Sequence, residues 1–319
     1  MRLSFGMQLE PQFGYTKATI DSFGKMIQNS ACFDTIWVSD HLFLDENATD
    51  KPAFDAWTLM TYLLTKYEEL RVGSLVLCNS FRYPSIVAKK ITTLDNLAQG
   101  RLEIGYGAGW KKMEYDAYGL DFPSTKVRLE QLEEGLQVLL KLWGSEEKTN
   151  FSGKYYTLKD AICFPKPFQK PHPRLWIGTM TGGDGMIKIT AKFGDGINLA
   201  WAFTTARCKE IFQRLDNFTR KFDRNPSDIS RSVGFWVRIY SNEEELNVGI
   251  KEEAEKRSMS IEDYQKRIEG SLIGTKEQVI EKLHQYKEIG VTHFIFMFPY
   301  QQETRYFQIF NDTILPQIC

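Results

Sequence analysis

The chain is poor in the residues that build metal centres and disulfide scaffolds. It has four histidines and five cysteines (Cys32, Cys78, Cys163, Cys208, Cys319), an odd number with no CxxC spacing. These give neither a zinc knuckle nor a disulfide framework, so no metal is expected and a reducing cytoplasm fits best. No apolar run reaches the ~18 residues of a membrane helix. The opening Met1-Arg-Leu-Ser-Phe-Gly6 enters a strand-like pattern at once, without a charged and then apolar leader. A membrane is therefore not an expected partner. Charge of one sign is also missing: 40 Lys and Arg face 41 Asp and Glu, a net charge of −1. Without a long-range positive field, nucleic acid is not an expected partner either. Strand-end carboxylates are scarce, which argues against a retaining glycosidase, whose two acids stand about 5–5.5 Å apart.

What is present is a repeated junction. Helical segments end at Gly100, Gly194-Asp-Gly196 and Gly290, and β-branched or aromatic runs follow within a few residues. Glycine is favoured just past a helix, and repeated handovers of this kind imply parallel strands joined by crossover helices. Eight strands are expected, at about 3–9, 35–40, 71–78, 101–107, 174–179, 195–201, 232–240 and 292–299. Leu129, Leu132, Leu136, Leu139 and Trp143 step by three and four along one helix face, and Thr275-Lys-Glu-Gln278 reads as a capping box. A single (β/α)8 barrel needs roughly 250 residues. The 319 residues thus read as one barrel domain, 1–319, with two insertions. The first, about 145–173 after the fourth helix, carries the Pro-rich run Pro165 to Pro173 and reads as a hairpin plus an extended tether. The second, about 241–273 after the seventh strand, is densely charged and reads as a solvated surface helix, with a lid as the alternative.

Barrel chemistry sits at the carboxyl ends of the strands. That filter selects Asp40 and His41 after strand two, Cys78 and Asn79 after strand three, Gly107 to Trp110 after strand four, Gly178 to Gly185 after strand five, and Asn198 to Trp201 after strand six. His41 suits proton transfer near neutral pH, and Asp40 suits orientation of a ligand group. A capping Asp beside a hydrogen-bonded His is the plainer alternative. Gly178-Thr-Met-Thr-Gly182-Gly183-Asp-Gly185 opens into the helical stretch 186–191. Its small residues leave backbone N–H groups to converge on an anion, so it resembles a phosphate cradle, although a merely flexible loop would look the same. His172, His284 and His293 read as structural.

Nearly the whole chain resembles the bacterial luciferase-like superfamily, and within it the coenzyme F420 (deazaflavin)-dependent oxidoreductases. The resemblance is carried by Trp37-Val-Ser-Asp-His41, by Gly73 to Pro84 leading into Ala88 to Asp95, and by Gly100-Arg-Leu-Glu-Ile-Gly-Tyr-Gly-Ala-Gly-Trp110. Further along it rests on Glu114 with Gly119, Arg128, Pro173 to Gly178, Gly194 to Asn198, Gly274 to Val279 and Gly290 to Phe294. It implies a luciferase-like TIM barrel with Asp40 near the deazaflavin ring and His41 on the substrate side. It also implies a non-prolyl cis peptide at Leu75-Val76 against the ring, Cys78 along the cofactor, a glycine wall of Gly107, Ala108 and Gly109, and a phosphate loop of Gly178, Thr179, Met180, Gly182 and Gly183. A homodimer is expected by the same analogy.

The sugar-phosphate branch of that family carries Trp and Glu where this chain has Asp45 and Trp110. Glucose 6-phosphate is therefore disfavoured, and proton transfer would fall to His41 alone or to water. Phe13, Trp110 and Trp201 would wall an aromatic pocket for a fairly apolar small-molecule substrate. The expectation is hydride transfer between F420 and a small organic substrate. The alternatives are an FMN-dependent monooxygenase using reduced flavin and O2, and a non-catalytic flavin-binding barrel.

Overall fold

The computed structural model describes residues 3–144 and 147–318. Met1, Arg2, Cys319 and positions 145–146 at the start of the first insertion lie outside the described residues. Eight parallel strands form the barrel: β1 (Ser4–Leu9), β2 (Phe33–Val38), β3 (Arg71–Ser74), β4 (Leu102–Gly107), β5 (Leu175–Thr179), β6 (Gly196–Leu199), β7 (Ser230–Tyr240) and β8 (His293–Met297). Each pairs with its successor, and β8 closes on β1 through Ser4↔His293 to Met7↔Phe296. All eight overlap the runs expected from sequence, but the third is broken. A two-residue strand, Leu77–Cys78, continues β3 and pairs with Tyr106 and Gly107 of β4. In the gap, the Leu75–Val76 peptide is cis, as the family resemblance implies.

Alternation along the strands separates two packed layers. Ile36, Val38, Val72 and Ile104 face the helices in the main apolar core, whereas Trp37 and Trp176 fill the barrel interior with Ile295. The indoles need space that neighbouring strands provide by having no side chain. A Cβ on Gly6 or Gly73 would lie 2.4 or 2.6 Å from Trp37, and one on Gly196 would lie 2.3 Å from Trp176. At the barrel floor, Arg71 pairs with the buried Glu103 (2.6 Å), which also accepts the Trp176 indole N–H (2.8 Å). His293 starts β8 beside Arg174, and burial pushes its pKa down to about 3, so it is a neutral structural group.

The junctions follow local chemistry. Gly100 and Gly290 adopt φ of +81° and +89°, the left-handed cap open to glycine at little cost. Gly194 differs: its φ is −81°, and it is small because Ile177 and Thr190 crowd it, at 3.1 Å from a would-be Cβ. The helix Lys276–Glu288 begins with the expected capping box between Thr275 and Gln278.

The first insertion is a hairpin and tether, as expected. Strands Thr149–Ser152 and Thr157–Ala161 pair antiparallel, and Glu134 accepts the N–H groups of Lys154, Tyr155 and Tyr156 at 2.7–3.1 Å. The second is more than a solvated helix. Helices Glu243–Lys256 and Ile261–Ile268 enclose a small core of Leu246, Ile250, Ala254, Tyr264 and Ile268. The strand Leu272–Thr275 then pairs with the upper half of β7. Most of the charge faces solvent, as expected, with one exception: the buried Glu253 receives Arg238 of β7 (2.7 Å), Lys256 (3.2 Å) and Arg257.

Burial works to raise the Glu253 carboxyl, but Arg238, Arg257 and Lys256 hold it at about 2, against an ordinary 4.5. A depressed carboxylate contributes fully above its unfolded pKa and loses that contribution as pH falls toward the folded value. Pepsin cleavage within 243–268 is therefore expected to rise between pH 4.5 and 2 while the barrel keeps its far-ultraviolet dichroism. Uniform resistance across that range would rule out Glu253 as the clasp.

Candidate active site

One cavity of about 520 Å³ opens at the carboxyl ends of the strands. Of the residues expected from sequence, Asp40, His41, Leu75, Val76, Cys78, Gly107, Ala108, Gly109, Trp110, Gly178, Thr179, Met180 and Trp201 line it. Gly182 and Gly183 are not among the lining residues, although Thr181 and Met186 on either side of them are. Gly182 has φ +63° and would meet Ile211 if it carried a side chain, and Gly183 caps the helix Asp184–Phe193. Phe13 lines a neighbouring cavity of about 330 Å³, which shares Trp236 and Met297 with the first.

Asp40, two residues past the end of β2, is buried. Arg82 grips it with two hydrogen bonds (2.7 and 2.8 Å) and the Cys78 N–H donates a third (2.9 Å). Burial pushes the Asp40 carboxyl up from its ordinary value, and the Arg82 fork opposes that shift. Arg82 also reaches Asp55 (2.9 Å), which caps the helix Ala56–Lys66. Asp40 thereby fastens the broken third strand to the end of β2, an anchor that sequence reasoning did not see.

His41 is anchored as well. Its Nδ1 lies 3.0 and 3.1 Å from the two oxygens of Glu114, which also accepts the Leu42 N–H (2.8 Å). The Trp110 ring stands edge-on to the imidazole at 5.7 Å. Burial alone would raise Glu114, but the His41 hydrogen bond and charge, followed by the Leu42 N–H and Lys111, bring its carboxyl below the ordinary value. Lys111 clips the Phe43 and Leu44 carbonyls at 2.6 Å, tying the loop after His41 to the short helix Lys112–Ala117 that carries Glu114. His41 is therefore not alone, as the sequence reading had it. An acid does reach it, four residues beyond Trp110. The ring nitrogen left for a ligand is Nε2.

Between strand ends β4 and β5 lies a shelf of small residues. A Cβ on Gly107 or on Gly178 would come within 2.7 Å of Val76, so the Val76 side chain occupies the space both glycines leave. Cys78 backs this shelf with its Sγ 3.0 Å from the Tyr115 hydroxyl, and burial pushes the thiol up to about 11, so it is uncharged. Trp201 lies over Gly234 of β7.

The phosphate loop departs from expectation. The Thr179 hydroxyl already accepts the N–H groups of Thr181 (3.4 Å) and Gly182 (3.1 Å). What remains is the first turn of the helix Asp184–Phe193, which has no side-chain cap. Leu129 packs against Gly185 of that turn, and the preceding residue, Arg128, is 8% exposed, lines the cavity, stacks on Phe122 at 4.0 Å and donates to the Pro123 carbonyl and Thr125. Its Nε has no partner. Among the described residues no carboxylate pairs with Arg128 within 4 Å, so a buried positive charge stands open to an anion.

This arrangement defines a (β/α)8 enzyme scaffold that keeps its chemistry at the strand tips. Within that class the chain belongs to the luciferase-like monooxygenase family, whose model matches residues 28–256. It is 28% identical over 306 residues to an F420-dependent glucose-6-phosphate dehydrogenase of Kineococcus radiotolerans, covering 89% of this chain and 88% of the relative. A protein of the same description from Amycolatopsis mediterranei is 25% identical, with 89% and 90% covered. Among solved structures, the fold matches an F420-dependent secondary alcohol dehydrogenase in complex with an F420–acetone adduct (TM-score 0.83, 20% identity, both chains fully covered). It also matches the monooxygenase RslO1 from Streptomyces bottropensis (TM-score 0.79, 18% identity, 99% and 100% covered).

Removing one member of a buried ion pair costs about 3–5 kcal/mol, because the other charge is stranded. Arg82→Leu is expected to lower stability by an amount of that order in urea unfolding, and Asp40→Asn in the same chain to restore a good part of it. Equal stability of wild type and Arg82→Leu would show that the pair does not hold the strand ends together.

Proposed function

We propose that the protein is a coenzyme F420-dependent oxidoreductase moving a hydride between F420 and a small organic substrate. The observation that carries this reading is the His41–Glu114 pair, which fixes a proton-transfer group on the wall of a cavity whose other wall is a glycine and valine shelf. Curated relatives matched over about nine-tenths of both chains are named F420-dependent dehydrogenases, which favours the deazaflavin over reduced flavin and oxygen.

The residues present fit such a cofactor. A flat ring suits the shelf of Val76, Gly107 and Gly178, and a phosphate suits the unpaired Arg128 with the uncapped turn at Asp184. When bound, F420 supplies two-electron hydride chemistry, and with carbon at position five it forms no stable oxygen adduct. The chain supplies position and protons. Asp40, locked by Arg82, holds the segment Leu75–Cys78 in place beside the shelf. Glu114 holds the His41 Nδ1–H and so fixes the ring, leaving Nε2 to give or take the proton at the substrate heteroatom. Trp110, Trp201 and Trp236 wall the substrate side, which favours a fairly apolar substrate. Asp45 and Trp110 stand where the sugar-phosphate branch carries Trp and Glu, so glucose 6-phosphate, named for the relatives, is not the proposed substrate.

Titration of the purified protein with F420 and with FMN, followed by fluorescence, tests the reading. Micromolar or tighter F420 binding with weak FMN binding is expected, and the reverse preference would move the search to reduced-flavin oxygenation. Arg128→Gln is expected to weaken F420 binding by about 10- to 100-fold, the worth of a charge-assisted contact. His41→Ala is expected to lower kcat by about 10²- to 10⁴-fold and leave F420 affinity nearly unchanged. Full turnover of every accepted substrate by that variant would remove His41 from the mechanism.

A further inference from the structure

The cavity has three carboxylates on its wall, and only two are matched by positive charge. Asp40 has Arg82, and Glu114 has His41 with Lys111 at 3.5 Å. The third is Glu10, the residue directly after β1, which lines the cavity and is 8% exposed. Among the described residues no ion pair reaches it. It accepts instead from neutral donors: Gln8 Nε2 (2.8 Å), Gln12 Nε2, and the Ser39 hydroxyl (3.0 Å). That hydroxyl has one proton and lies as close to the Gln12 carbonyl (2.9 Å), so its donation is shared. A carboxylate offers about four acceptor positions, so at least one remains open. The buried Gln8 Oε1 beside it has no partner, and turning that amide over would aim its oxygen at Glu10. The end of β1 is thus a buried, acceptor-rich and uncompensated negative site.

We infer that Glu10 selects the substrate: it takes a hydrogen-bond-donating, positively charged group, a protonated amine, and turns away substrates with a carboxylate or phosphate at that end. The topology supports this polarity. β1 stands opposite β5 in the closed ring, and the unpaired Arg128 belongs to the helix Thr125–Gly144 that joins β4 to β5 and packs through Leu129 on Gly185 of the helix Asp184–Phe193. The cavity therefore has a cationic pole that fits the cofactor phosphate and an anionic pole left to the substrate. An ammonium at Glu10 supplies the missing countercharge and the donor at once, a hydroxyl only the donor, and an anion meets like charge in a poorly solvated place. The reaction itself rests on the reading above, and the selection rests on Glu10 alone.

Three probes of one shape test it: cyclohexylamine, cyclohexanol and cyclohexanecarboxylate, titrated calorimetrically into the protein at neutral pH, with and without F420. The amine is expected to bind about tenfold or more tighter than the carboxylate, with the alcohol between them. Glu10→Gln, which keeps the shape, should bring the amine and carboxylate to within about threefold. Gln12→Met, which takes a neutral donor from the same carboxylate, should widen the gap. Equal binding of amine and carboxylate by the wild type, an amine preference that survives Glu10→Gln, or a preference that shrinks in Gln12→Met overturns the inference. The parallel F420 titration separates the two readings. Lost F420 binding with an intact amine preference removes the proposed reaction, and intact F420 binding without the preference removes the role of Glu10.

Discussion

A carboxylate at the mouth of a barrel has been taken out of water, and the structure around it must supply what water no longer does. This chain meets that constraint three times within one cavity, each time differently. Asp40 is met by a full guanidinium fork and a backbone N–H, Glu114 by an imidazole, a backbone N–H and a more distant ammonium, and Glu10 by amides and a shared hydroxyl. The solution sets the use. A charge matched by Arg82 is immobilised and serves architecture, holding the broken third strand against β2. A charge matched by a titratable ring is tuned, and lends that ring a fixed orientation. A charge met only by dipoles keeps its external field, and is left to act on what enters the cavity.

The architecture was legible because it is local. β-Branched and aromatic runs, glycine junctions and the Thr275–Gln278 box placed eight strands and their helices, and the strand-end filter then pointed to Asp40, His41, Cys78, Gly107 and Gly178. The partners of these groups were not legible, because a side chain's partner is set by packing across elements. Arg82 is 42 residues from Asp40, and Glu114 is 73 from His41. Spacing along the chain carries no signal of either meeting. Glu114 did leave a trace as one of the positions that carry the family resemblance. Without coordinates, that trace could not be joined to His41, and the Trp at position 110 suggested instead that the acid was missing.

Two other departures share a cause. The glycine loop after β5 reads as a run of free N–H donors, yet the Thr179 hydroxyl folds back onto two of them. A β-hydroxyl in a tight turn competes with any ligand for its own backbone. In the proposed reading, anion binding would then fall to the uncapped helix start and to Arg128. The charged run 241–273 reads as solvent-facing and mostly is, yet Glu253 is buried beneath Arg238, Lys256 and Arg257, and the apolar residues of the segment form a separate small core. Composition describes how many charges a segment has, and not which of them turn toward one another.

The polarity of the cavity ties these pieces to the chemistry. Hydride transfer needs the donor and acceptor carbons in contact and a proton supplied or removed at the neighbouring heteroatom, so the site must fix two molecules and one proton path together. Here the fixed points lie on different strands: the anion end on the β5 side, the ring shelf across β4 and β5 with Val76, the proton group after β2, and the uncompensated carboxylate after β1. In the reading proposed above, a substrate drawn by its positive end to Glu10 would be held on the β1–β2 side of the cavity that His41 also lines, with its remaining atoms extending toward the shelf. The same charge arrangement opposes entry in the reverse sense, since a cationic group near Arg128 would meet like charge. Orientation then follows from where each buried charge found, or did not find, a partner during folding.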